Sequence, residues 1–267
     1  MRRILYWGLV LLCLAGAVIG GGLALAQIRE YRSAGRAYEG LEAYISLDEG
    51  GAADGGGNSS EHAAGDAKPG LDGRIQADFE ALAQVNPQIV GWIHGPDTVI
   101  SYPVVQGEDN SYYLDHLFSG EKNGSGCIFL DADCERDFSG SHSILYGHHM
   151  KNGSMFASLK NYQSQSYYEA HPYFQLLTPE GDWRVDVFSA YIADVGQEAW
   201  QLELAPEGYR EGWIQDVMDR SLVQAPTAPR QGERILTLST CSYEFANARF
   251  VVHGIIRPWD MANSAGQ

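Results

Sequence analysis

Between residues 89 and 256, bulky apolar residues alternate with polar ones in short runs, and clusters of Gly, Pro, Asn and Asp break the runs apart. A hydrophobic period of two over such lengths marks half-buried strands. Residues 89–93 and 98–105 form the first pair, separated by the turn signal Gly95-Pro96-Asp97. Further strand candidates follow at 127–130, 143–146, 173–177, 183–192, 235–240 and 249–256, rich in β-branched and aromatic residues. So many strands joined through turn residues predict a mainly β sandwich or barrel. The helical period surfaces in two places. Ile75, Phe79, Leu82 and Val85 predict an amphipathic helix over 74–85, closed by Asn86-Pro87, and Trp213, Ile214, Val217, Met218 and Leu222 predict another over 207–223, just ahead of the strand at 235.

The N-terminal pattern is different. Residues 4–26 carry no charge and are long enough to cross an apolar layer of about 30 Å as a helix. Ala24-Leu25-Ala26 before Gln27 has the small-residue character of a cleavage site, but the run exceeds an ordinary signal-peptide core, so an uncleaved anchor over 1–27 is expected. Arg2 and Arg3 favour a cytoplasmic N-terminus with the bulk of the chain outside the cell, although Arg29, Arg32 and Arg36 flank the other side. A juxtamembrane helix is expected over 30–47. From 46 to 78, Gly, Ala, Asp and Ser crowd out large apolar residues, which predicts a flexible acidic stalk. The organisation is therefore anchor (1–27), helix and stalk (28–73), one catalytic-size domain (74–260) and a tail (261–267). A formal net charge of −16 leaves no basic stripe for phosphates and argues against a nucleic-acid partner.

Candidate chemistry concentrates where the last two strands meet. Cys241 ends the run 235–240, a loop follows, and Arg249 opens the next strand. A thiol fixed at a strand end beside a loop can face a cleft, whereas a core thiol does not need Ser239, Thr240 and Ser242 around it. An unperturbed thiol, with a pKa of about 8.5, is mostly protonated at neutral pH and needs an imidazole or a cation nearby. His148 meets that need, standing after Gly147 at the end of the strand 143–146, while His149 is expected to point away. His253 shares a face with Arg249 and Val251 and is a weaker candidate for the same site. A zinc site from His148, His149 and Cys241 is disfavoured because adjacent histidines on an extended chain diverge. Asp131, Asp133 and Glu135 have calcium-ligand chemistry, but loop solvation explains them as well. No metal or cofactor is expected. Cys127 and Cys134 lie about 23 Å apart if extended, against about 4.4–6.8 Å for a bridge, so no disulfide is expected.

Thr237-Leu-Ser-Thr-Cys241 followed by Arg249, with Tyr146-Gly-His148, the stretch 149–156 and Asn86-Pro-Gln-Ile-Val-Gly-Trp-Ile93, resembles the sortase family, specifically its class B, over residues 79–258. The resemblance implies an eight-stranded barrel with N-terminal helices and a helix inserted before the Cys-bearing strand. It implies a cysteine transpeptidase with His148, Cys241 and Arg249 as catalytic groups. Such an enzyme cuts a C-terminal sorting signal of Asn-Pro-x-Thr or Pro-Pro-x-Thr type after Thr and passes it to a cell-wall amine, so that the implied partners are surface proteins and a peptidoglycan precursor. By position it implies peptide contacts from Asn110, Leu114, Tyr146, Ser239 and Thr240, each of which has a structural reading too. Hydrolysis of the acyl-enzyme, assembly of pili, or a non-enzymatic aromatic surface built from Tyr112, Tyr113, Tyr162, Tyr167 and Tyr168 are the alternatives.

Overall fold

In the computed structural model, which describes residues 2–47, 73–196, 198–202, 209–241 and 247–259, eight strands close into a barrel. They are β3 (Ile89–His94), β4 (Ser101–Val105), β5 (Ile128–Leu130), β6 (His142–Tyr146), β7 (Tyr173–Thr178), β8 (Gly181–Asp194), β9 (Arg234–Cys241) and β10 (Ala248–Pro258). Around the barrel the order is β10-β8-β7-β3-β4-β5-β6-β9. Closure leaves no open edge. The expected eight-stranded, mainly β architecture is thus present, with strand ends within a few residues of those read from the alternation. Most pairs are antiparallel, but β4 runs parallel to β5 and β6 parallel to β9. The second of these parallel pairs positions the site.

Alternation along β9 and β10 feeds two separate cores. Leu236, Leu238, Phe250 and Val252 belong to one buried cluster with Trp92, Ile93, Val104, Ile128 and Leu145. Ile235, Val251 and Ile255 point outward and are covered, with Phe188 and Tyr191, by Trp213 and Val217 of α4 (Tyr209–Asp219). The helix before the Cys-bearing strand therefore exists and is shorter than expected. A further helix, α3 (Gln165–Ala170), and a 3-10 helix at Phe156–Gln163 carry no hydrophobic period long enough to announce themselves.

The expected helix over 74–85 is corrected. Its first half is a strand, β2 (Ile75–Ala77), paired with β1 (Ile45–Leu47), and only α2 (Phe79–Val85) is helical. The Gln175 side chain explains the switch. Its amide takes the Ile75 N–H at 2.9 Å and donates to the Ile75 carbonyl at 2.8 Å, holding that backbone extended. Asp78 then caps α2 by accepting from the Ala81 N–H at 2.9 Å. The juxtamembrane helix is likewise shorter than expected: α1 (Arg2–Glu39) ends before a 3-10 turn (Gly40–Tyr44) and β1. The stalk falls largely on residues 48–72, outside the described residues, as does the tail, while β1 and β2 take over its two margins. Among the described residues no helix is long and apolar enough to cross a membrane. The apolar run 4–26 lies within α1, several of its side chains being outside the description.

Candidate active site

Register brings the catalytic candidates into one row. In the parallel pairing of β6 with β9, Tyr146 lies beside Ser239. The Gly147 N–H donates to the Ser239 carbonyl at 3.1 Å, which carries the pairing one step further. Continuing that register, His148 stands two residues beyond Tyr146 just as Cys241 stands two residues beyond Ser239. His148 borders a cleft from the segment just past β6, and Cys241 from the end of β9. On the other side of β9, Arg249 of β10 is the direct cross-strand partner of Cys241. His148, Cys241 and Arg249 all line this cleft, of about 330 Å³. Cys241 is half-buried and its thiol is free.

His148 is oriented from behind. Its Nε2–H donates to the Leu114 carbonyl at 2.6 Å, which leaves Nδ1 as the nitrogen that can take or release a proton. Two glycines make that placement possible. A Cβ on Gly147 would lie 2.4 Å from Ile128 Cδ1 and 2.7 Å from the Phe156 ring. One on Gly126, where φ is +56°, would lie 2.9 Å from His148 Cδ2 and 2.8 Å from the same Leu114 carbonyl. His149 does not line this cleft. Its Nδ1–H donates to the Cys241 carbonyl at 2.9 Å, tying the end of β9 to the loop after β6.

Asn110, Leu114, Tyr146, Ser239 and Thr240 all line the cleft. Leu114 is 45% exposed, which sets aside its reading as core. Asn110 accepts the Ala132 N–H through Oδ1 at 2.8 Å. Tyr146 donates its hydroxyl to Asp131 Oδ2 at 2.8 Å, and burial, reinforced by that carboxylate, raises its pKa. The Ser239 and Thr240 hydroxyls are buried with no hydrogen-bond partner among the described residues. Val195 and Trp200 line the cleft too. Sequence reasoning missed them because they lie where strand periodicity fails; an isolated Trp in a polar stretch was the available signal.

Other candidates fall elsewhere. His253 is fully buried under α4 and bonded to Thr237, four register pairs along β9 and β10 from Cys241, and it does not line the cleft. Among the described residues no group of three His, Cys, Asp or Glu side chains is arranged to hold a metal ion. Asp131 is buried and engaged by Tyr146 and by the Asp133 N–H. Cys127 and Cys134 are free thiols, and burial pushes Cys134 up to about 12. The aromatic surface is not formed, because Tyr113, Tyr162 and Tyr168 are buried.

Comparison with known proteins agrees with this geometry. Residues 93–256 match the sequence model of the family described as the Sortase domain. Sortase B of Listeria monocytogenes is 33% identical over 190 residues, covering 70% of this chain and 77% of that protein. The Staphylococcus aureus sortase B–substrate complex superposes with a TM-score of 0.65 at 32% identity, covering 68% of this chain and 85% of that one. Clostridium perfringens sortase B gives a TM-score of 0.64 at 32% identity, over 67% of this chain and 100% of that one. The chain belongs to the sortase family, in its class B, and is a cysteine transpeptidase.

Proposed function

We propose that the chain cleaves a C-terminal sorting signal of Asn-Pro-x-Thr or Pro-Pro-x-Thr type after its Thr and transfers the new carbonyl end to a cell-wall amine, anchoring surface proteins. The convergence of His148, Cys241 and Arg249 on one cleft is the observation that carries this reading. The Cys241 sulfur, as thiolate, adds to the Thr carbonyl carbon, and the carbonyl π electrons move onto oxygen. Collapse of that intermediate breaks the C–N bond. The departing nitrogen takes the proton held on His148 Nδ1, and a thioester remains. An incoming amine then attacks the thioester carbon, gives its proton back to Nδ1, and expels the thiolate. Arg249 sets its guanidinium beside the carbonyl oxygen, where negative charge develops.

Anchoring by α1 belongs to the same proposal. The uncharged run 4–26, with Leu14, Val18, Ile19 and Leu25 exposed, supports a lipid environment for that end of the helix, and on this proposal the barrel lies on the outer side of the membrane. The test is to incubate the full chain with a peptide library and triglycine and to read products by mass spectrometry. Ligation of Asn-Pro-x-Thr-type peptides to triglycine is the expected result, lost in Cys241→Ala while the fold is retained. Hydrolysis without ligation sinks the transferase assignment, and turnover that survives Cys241→Ala sinks the site.

A further inference from the structure

A second cleft, of about 560 Å³, opens on the far side of His149. The imidazole that ties down the Cys241 carbonyl forms part of its wall, and His148, one residue earlier, lines the first cleft. The two cavities thus flank the same dipeptide step beside the reacting sulfur.

The second cleft is unusual in its charge. The whole chain has four lysines, Lys68, Lys122, Lys151 and Lys160, against a net charge of −16, and two of the four line this one cavity. Both are exposed, and neither has an ion-pair partner among the described residues. The carboxylate lining the cleft is that of Asp97, and His171 faces the same space. The Ser158 hydroxyl in its wall is buried without a hydrogen-bond partner among the described residues. The loop that carries Lys151 is held in place. His149 and Met155 pair across it, and the Met155 N–H donates to the Tyr102 hydroxyl at 3.1 Å. Two ammonium groups with no ion-pair partner among the described residues form a receptor for an anionic group, in a protein whose overall field repels anions.

We propose that this cleft binds the acceptor, and that the acceptor it favours carries a carboxylate or phosphate on the same molecule as its attacking amine. The inference rests on the transpeptidase reading. A sorting peptide lying in the first cleft covers the thioester from that side, so the amine must approach from another. The cavity behind His149 borders that approach, and Lys151 and Lys160 hold the anionic end while the amine reaches forward.

The experiment measures transfer by the full chain from one sorting peptide to three acceptors: triglycine, triglycine amide, and O-phosphoethanolamine. Triglycine is expected to show a KM about three- to tenfold below its uncharged amide, the size that two exposed charge contacts supply, and the advantage shrinks as salt rises. A phosphate-reading site instead favours O-phosphoethanolamine over triglycine, which distinguishes the two anion sources. In Lys151→Ala/Lys160→Ala the preference for anionic acceptors disappears, while hydrolysis of the sorting peptide without acceptor is unchanged. An unchanged preference in that variant overturns the proposal, as does a variant that slows cleavage of the sorting peptide itself. Should the chain cleave peptides without transferring them, the transpeptidase reading fails first. Triglycine binding to Cys241→Ala, followed by NMR, then decides the cleft separately: shifts confined to residues 149–160 and lost in the lysine variant support it, and their absence overturns it.

Discussion

Thr237→Val tests whether the outer core is organised by a directed hydrogen-bond relay. His142 Nδ1 lies 2.6 Å from the Gln201 carbonyl, so that nitrogen carries the proton and donates. In a neutral ring Nε2 is then an acceptor, and it lies 2.6 Å from the Thr237 hydroxyl, which must donate to it. The Thr237 oxygen in turn accepts Nδ1–H of His253 at 2.7 Å. Both rings are buried, and burial keeps both neutral, taking His142 down to about 4 and His253 well below its ordinary value. Valine occupies nearly the same space but leaves one acceptor and one donor unmatched in the interior. At about 1–3 kcal/mol for each orphaned group, less about 0.8 kcal/mol for the added methyl, the loss is about 1–5 kcal/mol. Urea unfolding should show the midpoint falling with the m-value unchanged. Thr237→Ser keeps the relay and should lose only about 1 kcal/mol for its missing methyl. If Thr237→Val lies within about 0.5 kcal/mol of the parent, the surface-substitution range, the relay carries no weight and the assignment is wrong.

Acid should reveal the same pair. The folded-state value of His142 is about 4, below the ordinary 6.5, so the unfolded chain binds protons first. Stability is complete above about pH 6.5 and falls toward pH 4 by on the order of 3 kcal/mol, with His253 acting in the same direction; a thermal midpoint flat across that window contradicts the assignment. Gly126→Ala strains a left-handed backbone and pushes on both His148 and the carbonyl that orients it, so turnover should fall about 10²-fold with circular dichroism intact; parental turnover would remove Gly126 from the account. Trp200→Ala should raise KM for the sorting peptide about tenfold with little change in kcat, whereas a kcat effect alone would place Trp200 elsewhere. Arg249→Lys keeps the charge but loses the planar fork, and kcat should drop about 10²-fold or more; parental kcat in the lysine variant would mean that charge alone suffices.

Alternation made the eight strands legible, because each buries one or both faces in a core that tolerates few polar side chains. The row of His148, Cys241 and Arg249 was legible only as three strand ends, since the parallel register of β6 on β9 is set by closure of the barrel and not by either strand alone. His149 shows the limit most plainly: on an ideal strand it diverges from His148, but the chain leaves β6 at Gly147, and the ring turns to the Cys241 carbonyl. Ile75 to Ala77 misled for a related reason. Its apolar spacing fits a helix, and the competing term is a side-chain amide a hundred residues away, on Gln175. Trp200 and Gly126 had no periodic signal at all, because their roles come from what packs against them.

The same dependence on distant contacts bears on where the catalytic unit starts. A boundary at residue 74 is natural from composition, yet Ala34, Tyr38 and Leu41 are buried in the barrel's own core cluster. The Tyr38 ring meets Tyr102 edge-on at 5.4 Å and Phe118 at 5.1 Å, and its hydroxyl donates to the Gly126 carbonyl at 3.4 Å. One helical turn pair earlier, Glu30 accepts the Gly124 N–H at 2.6 Å, and Asn123 donates to the Glu30 carbonyl and to Ser33. The end of α1 therefore clamps residues 123–126, the segment that backs the His148 ring. Removing residues before 73 uncovers the sites of Tyr38 and Leu41, each worth about 1.5–3 kcal/mol of burial, so a chain beginning at 73 should be about 3–6 kcal/mol less stable than one beginning at 28. It should also lose kcat, since Gly126 and the Leu114 carbonyl are then free to shift the imidazole. Equal melting temperatures and equal kcat for the two chains would show that the helix merely rests on the barrel; a shorter chain that melts lower and turns over more slowly would make α1 part of the catalytic unit.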